Sequence, residues 1–183
     1  MKYKAIGCLS MAALLVHTNA SAGSDAFKTY GDVASFAIPA LAAGITLYKG
    51  DEEGLKEFGL GFLLSMGATY GLKKTVHRER PDMSDNESFP SGHAARAFAG
   101  ASYLQFRYGS AYGLPMYLAS GAVGWSRVDA RKHHWTDVIA SGVLTTAVAW
   151  FTTSKYQDIP VNVSLMMGED QNRTYGLAAN MQF

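Results

Sequence analysis

Residues 73–93 read KKTVHRERPDMSDNESFPSGH, and residues 126–137 read SRVDARKHHWTD. These polar stretches interrupt a chain that is otherwise apolar and small-residue rich, so the segments between them supply the fold and the interruptions supply the chemistry. Three clusters stand out: Lys73 with Arg80-Pro81, then Pro90-Ser91-Gly92-His93, then Ser126-Arg127 followed by His133 and Asp137. Three fixed cations, a glycine at a turn that can open a helix, two imidazoles and one carboxylate are the parts of a pocket for a phosphate group.

Working outward, five apolar segments cover about Val33–Tyr48, Phe58–Leu72, Ala94–Phe106, Ala111–Trp125 and Val138–Phe151. All read as helices. Gly50-Asp51 and Tyr108-Gly109-Ser110 are turn signals, and Ser91-Gly92 precedes the third segment. Pro39 and Pro115 inside apolar segments imply a kink or a first-turn position. Pro81 to Pro90 is polar and reads as a loop bordering the pocket. The expected architecture is mainly α, a bundle of five to six apolar helices.

The segments run 13 to 16 residues, short of the roughly 20 that span a bilayer. They are nevertheless apolar on most faces rather than striped, as lipid-facing helices are. The N-terminus carries Lys2 and Lys4, an apolar run from Ala5 to Val16, and Ala20-Ser21-Ala22, the pattern of a secretory signal cleaved after Ala22. Uncleaved, that run would be an anchor and a sixth helix. After Lys155 the character changes: Val161 to Leu165 alternates, Gly168 to Asn172 is turn-like, and Tyr175 to Phe183 alternates loosely, which predicts a small β-hairpin. The expected domains are a signal peptide or anchor over 1–22, a helical domain over 23–155 and a hairpin tail over 156–183. Cys8, the only cysteine, lies in the leader, so the mature chain has no thiol nucleophile.

The 183 residues suit one domain. A formal charge of +1 and 17% charged residues exclude a nucleic-acid footprint. A neutral imidazole is a phosphate nucleophile near neutral pH, and His133 is the candidate, with Asp137 four residues on to hold its other ring nitrogen. Lys73, Arg80 and Arg127 would carry the charge of the non-bridging oxygens. Ser91 and Gly92 would present backbone N–H groups from a helix N-terminus. His77, Arg78, Arg96, Arg131, Lys132 and His134 receive no role. No metal or cofactor is expected, since three cations aimed at one pocket oppose a bound dication.

The spacings K-x6-R-P, P-S-G-H and S-R-x5-H-x3-D, filled here by Lys73, Arg80-Pro81, Pro90 to His93, Ser126-Arg127, His133 and Asp137, resemble the three-part signature of the type 2 phosphatidic acid phosphatase superfamily. That family also holds acid phosphatases and vanadium haloperoxidases. The resemblance covers about Lys73 to Asp137, a third of the chain, and implies that His93 protonates the leaving-group oxygen. It implies a metal-independent phosphatase acting through a phosphohistidine on lipid phosphates or small phosphomonoesters. The protein would be exported and membrane-associated with its site facing the periplasm, or soluble there. A soluble acid phosphatase, a lipid phosphotransferase and a catalytically silent binding protein of the same fold are the alternatives.

Overall fold

Asp51, Ser91 and Asp137 each sit where a helix starts, and each satisfies a backbone N–H that helix geometry leaves unpaired. Asp51 accepts from the Gly54 amide at 2.8 Å, Ser91 from the Ala94 amide, and Asp137 from the His134 amide at 2.8 Å. The computed structural model describes residues 20–157, 161–167 and 175–181, with side-chain surroundings over 25–157. Among them are helices α1 (Ala20–Tyr48), α2 (Glu52–Thr75), α3 (Gly92–Tyr108), α4 (Ser110–Asp129) and α5 (Trp135–Thr152).

Every apolar segment lies inside one helix, and polar ends lengthen each of them. Pro39 and Pro115 both fall inside helices, α1 and α4. Only Gly109 separates α3 from α4, and its φ of 86° is a left-handed conformation that glycine adopts without steric cost. Strands β1 (Val161–Met167) and β2 (Tyr175–Met181) pair antiparallel, Val161 opposite Met181. The turn expected between them lies outside the described residues. So does the leader expected over 1–22, except Ala20, Ser21 and Ala22, which begin α1.

α3 packs against all four other helices and forms the axis of the bundle. Over its first three turns its buried face is small, with Ala94, Ala95, Ala97, Gly100, Ala101 and Ser102, and only its last turns bury larger side chains, Tyr103, Leu104 and Arg107. Facing helices bury Ser35, Ser65, Ser120, Ser126, Ser141 and Thr145. The large apolar side chains point outward, with Phe36, Leu47, Leu63, Leu118, Val143, Trp150 and Phe151 all at least 60% exposed. This distribution inverts that of a water-soluble domain and matches helices that associate through small residues in a hydrocarbon surrounding.

At the end of the bundle where α2 starts, the Arg107 guanidinium donates to both oxygens of Asp51, at 2.5 and 2.7 Å, and Tyr108 Oη donates to the same carboxylate at 2.7 Å. Arg107 also donates to the Ser154 carbonyl at 3.0 Å. Burial opposes the charge on Asp51, but the hydrogen bonds from Arg107, Tyr108 and the Gly54 amide outweigh it and hold the carboxyl at about 2. One carboxylate therefore joins α2, α3 and the segment after α5.

A Cβ at Gly100 would lie 2.9 Å from Pro39 Cα, a contact that only backbone movement relieves. Gly100→Ala is therefore expected to lower stability by about 1–3 kcal/mol by forcing α3 off α1. Thermal denaturation measures this, and an unchanged melting temperature would show that the helices are not in that contact.

Candidate active site

Opposite the Asp51 end, the loop joining α2 to α3 and the loop joining α4 to α5 meet the N-terminal part of α1. The last turn of α2 carries Lys73, whose Nζ donates to the Glu87 carbonyl at 2.5 Å. Arg80 follows in the loop, its Nε 2.6 Å from Asp85 Oδ1 and one terminal nitrogen 3.4 Å from the Lys132 carbonyl. The loop borders the site, as its polarity predicted.

His133 precedes α5, and its Nδ1 lies 2.7 Å from the Ser88 carbonyl oxygen. A carbonyl only accepts, so Nδ1 carries the proton and Nε2 keeps a free lone pair. Asp137 Oδ2 is 3.7 Å from the same nitrogen, beyond hydrogen-bond range. The hydrogen bond expected from Asp137 to the ring is made by the Ser88 carbonyl instead, and the carboxylate stands at ion-pair distance. α5 begins only at Trp135 and His134 is extended, so His133 and Asp137 do not share a helical face. The carboxylate, fully buried, instead accepts from Ser88 Oγ at 2.5 Å, from the His134 amide at 2.8 Å and from Arg78 at 2.8 Å. It acts on His133 through its charge at 3.7 Å and, by bonding Ser88, through the residue whose carbonyl holds the ring.

Ser91 caps α3 and is fully buried. Its amide donates to the Asp137 carbonyl at 3.3 Å, and its own carbonyl accepts from Ser141 Oγ at 2.9 Å. These bonds hold the α3 N-terminus against that of α5. A Cβ at Gly92 would meet nothing within 4 Å, so the space beside that helix end is open to an oxyanion.

His93 Nε2 stands 3.0 Å from Asp32 Oδ1 on α1, and Arg127 donates to that same oxygen at 2.5 Å. Arg127 is 3% exposed, and its other nitrogens donate to Ser126 Oγ and to the Lys28 carbonyl. The His133 amide is bonded to the Arg127 carbonyl at 3.3 Å, which ties the two imidazole neighbourhoods together. The predicted residues thus gather at one end of the bundle, Lys73 and Arg80 around His133, and Arg127 beside His93.

Sequence reasoning missed Ser88, Arg78 and Asp32. Asp32 alone left a signal, an acidic residue at the edge of an apolar segment. Arg96, also without a predicted role, stacks over Phe36 at 4.2 Å. Among the described residues no three His, Cys, Asp or Glu side chains are placed to share a metal ion.

Burial pushes His133 down to about 4. The Ser88 carbonyl opposes this, Arg80 and Lys73 reinforce it, and Asp137 opposes it. The ring is therefore neutral across the neutral range. A ring titration followed by NMR should have its midpoint near 4, and Arg80→Gln should raise it, because a lost cation favours the protonated form. A midpoint at the ordinary histidine value would contradict the buried placement.

A family model described as the PAP2 superfamily matches residues 54–160. Lipid A 4'-phosphatase of Helicobacter pylori is 31% identical over 146 residues, which is 74% of this chain and 73% of that protein. Lipid A 1-phosphatase of Porphyromonas gingivalis is 30% identical over 83% of this chain, which spans only 37% of its length. Among solved structures, Aquifex aeolicus LpxE superposes with a TM-score of 0.52 at 20% identity, covering 70% of this chain and 92% of that one, a likeness of fold. Signature, fold and kinship agree: the chain belongs to the PAP2 superfamily and is a phosphatase of that family.

Proposed function

We propose that this enzyme hydrolyses the phosphate monoester of a membrane lipid, with a phosphorylated glycolipid of the lipid A type as its substrate, through a phosphohistidine on His133. One observation carries the reading: the His133 Nε2 lone pair is left free by the Ser88 carbonyl, with Lys73 and Arg80 beside the ring. Nε2 attacks phosphorus as the ester P–O bond breaks, and His93 gives a proton to the departing oxygen. Water then attacks phosphorus, the P–N bond breaks, and phosphate leaves with the His133 ring restored. Lys73, Arg80 and Arg127, with the α3 end at Gly92, hold the non-bridging oxygens. Ser91, its amide taken by the Asp137 carbonyl and its hydroxyl by the Ala94 amide, positions that helix end rather than presenting a donor as the sequence suggested. Fixed cations carry the developing charge, so the reaction needs no metal.

The lipid part of the proposal rests on three supports. Two curated relatives are named as lipid A phosphatases. The outward-facing Leu, Val, Phe and Trp side chains suit a bilayer surrounding, and Asp25–Tyr48 of α1 is long and apolar enough to cross one. An open apolar groove of about 710 Å³ between α4 and α5 begins at Trp135, two residues after His133, and runs past Ile139 and Val143 to Trp150. A phosphate at the site would leave its lipid chains beside that groove. In this reading residues 1–22 are leader or anchor, 23–155 the catalytic bundle and 156–183 the tail, with the site facing the periplasm.

Phosphate release from lipid A and phosphatidic acid in mixed micelles, with chelator present, tests the proposal. His133→Ala should lose about 10³-fold or more of kcat, and His93→Ala a factor of about 10²–10⁴ on lipid substrates. Rapid acid and alkali quenching should trap an alkali-stable, acid-labile phosphoenzyme in the parent and none in His133→Ala. Undiminished turnover by His133→Ala would overturn the mechanism, and release from soluble monoesters alone would overturn the lipid assignment.

A further inference from the structure

Asp32 lies in none of the signature clusters, yet one of its oxygens takes both a bond from Arg127 at 2.5 Å and the His93 Nε2 contact at 3.0 Å. Its position is set by packing. Gly31, the residue before it, presents only hydrogen toward α4: a Cβ there would fall 1.9 Å from Ser126 Oγ and 2.6 Å from an Arg127 nitrogen. The Lys28 carbonyl, one turn earlier, accepts from the same guanidinium. This stretch of α1 is thus pressed directly on the Arg127 fork, and that contact aims Asp32 at His93.

We infer that Asp32 is a positioning residue that forms a carboxylate–imidazole pair with His93 and fixes which ring nitrogen moves the proton. The inference rests on the phosphatase reading above. A carboxylate only accepts, so Nε2 keeps its hydrogen throughout, and Nδ1 is the nitrogen that exchanges. When the ester bond breaks, its electron pair stays on the leaving oxygen, which takes the Nδ1 proton and leaves His93 neutral. When water attacks the phosphohistidine, Nδ1 accepts the water proton, and the imidazolium is stabilised by Asp32. Protons balance over the cycle.

The charge setting explains why such a partner is needed. Arg127 from α4 and Arg96 from α3 itself both face His93, and Asp32 from α1 is the carboxylate beside it. Burial, then Arg96 and Arg127, disfavour the imidazolium, while Asp32 favours it, and the phosphate of a bound ester adds the negative charge under which the ring holds the proton that it donates. Without the carboxylate the imidazolium would face two guanidinium groups alone.

The test uses the full chain, with kcat, KM and pH profiles measured on phosphatidic acid, whose alkyl leaving oxygen needs a proton, and on p-nitrophenyl phosphate, whose leaving group does not. Asp32→Asn should lower kcat on phosphatidic acid about tenfold, change KM less than about twofold, and cost little on the nitrophenyl ester. The basic limb of its kcat profile should move acid-ward by about one pH unit. Asp32→Ser, a smaller neutral variant, should behave alike, and Asp32→Glu should keep the parental limb. Equal losses on both substrates with an unmoved limb would show a purely structural residue and overturn the inference. A fall in KM with kcat intact would also overturn it, by showing Asp32 to be a competitor for the phosphate seat. Failure of the phosphatase reading is separately visible, as full activity in His133→Ala.

Discussion

The buried carboxylate of Asp137 is the constraint on which the site depends. It is fully covered, and it gathers Ser88, Arg78 and the His134 amide around its two oxygens, while its backbone carbonyl receives the Ser91 amide. A buried charge is tolerable only when its lone pairs are filled, and here the filling groups come from both loops, while the start of α3 is held by the main chain of the same residue. Satisfying one carboxylate therefore brings together residues 49 and 59 positions apart along the chain. The neutral, correctly protonated His133 is a product of that assembly, through the Ser88 carbonyl.

Around this polar end the bundle is arranged so that helices approach closely without large side chains between them. The alanines and Gly100 of α3 make that helix a smooth axis, and serine and threonine hydroxyls on neighbouring helices bond back to their own backbones, as Thr145 does to the Ser141 carbonyl at 2.9 Å. Two modest apolar clusters, around Ile38 and Val123 and around Tyr103 and Leu104, join close backbone contact and the charged knots at the two ends, Asp51 at one and Asp137 at the other, in holding the helices together. The precision of the site is inherited from helix axes that have little room to shift.

The helices were legible because each apolar run is bounded by residues that must be solvated or capped. Their full lengths were not. α1 begins at Ala20 rather than Val33 because a helix continues through Asp25, Lys28 and Asp32 once α4 supplies partners for that face. The residues that spacing singled out, Lys73, Arg80, Ser91, Gly92, His93, Arg127, His133 and Asp137, all lie at one end of the bundle. What escaped was of two kinds. The Ser88 carbonyl is main chain and has no side-chain signature, so spacing alone assigned its task to Asp137. The pairings of Arg78 with Asp137 and of Asp32 with Arg127 join residues 59 and 95 positions apart, and no local pattern reports such a meeting.

The odd number of described helices carries a topological result of its own. α1 runs away from the chemistry and successive helices alternate, so the polypeptide enters the bundle beside Arg127 and departs beside Arg107, where the Tyr156 amide meets the Arg107 carbonyl at 2.8 Å. An 18-residue helix such as α5 is about 27 Å long, close to the thickness of a hydrocarbon layer. Laid across such a layer, the five helices by parity alone would put the start of α1 on the face that carries the histidines and the end of α5 on the opposite face.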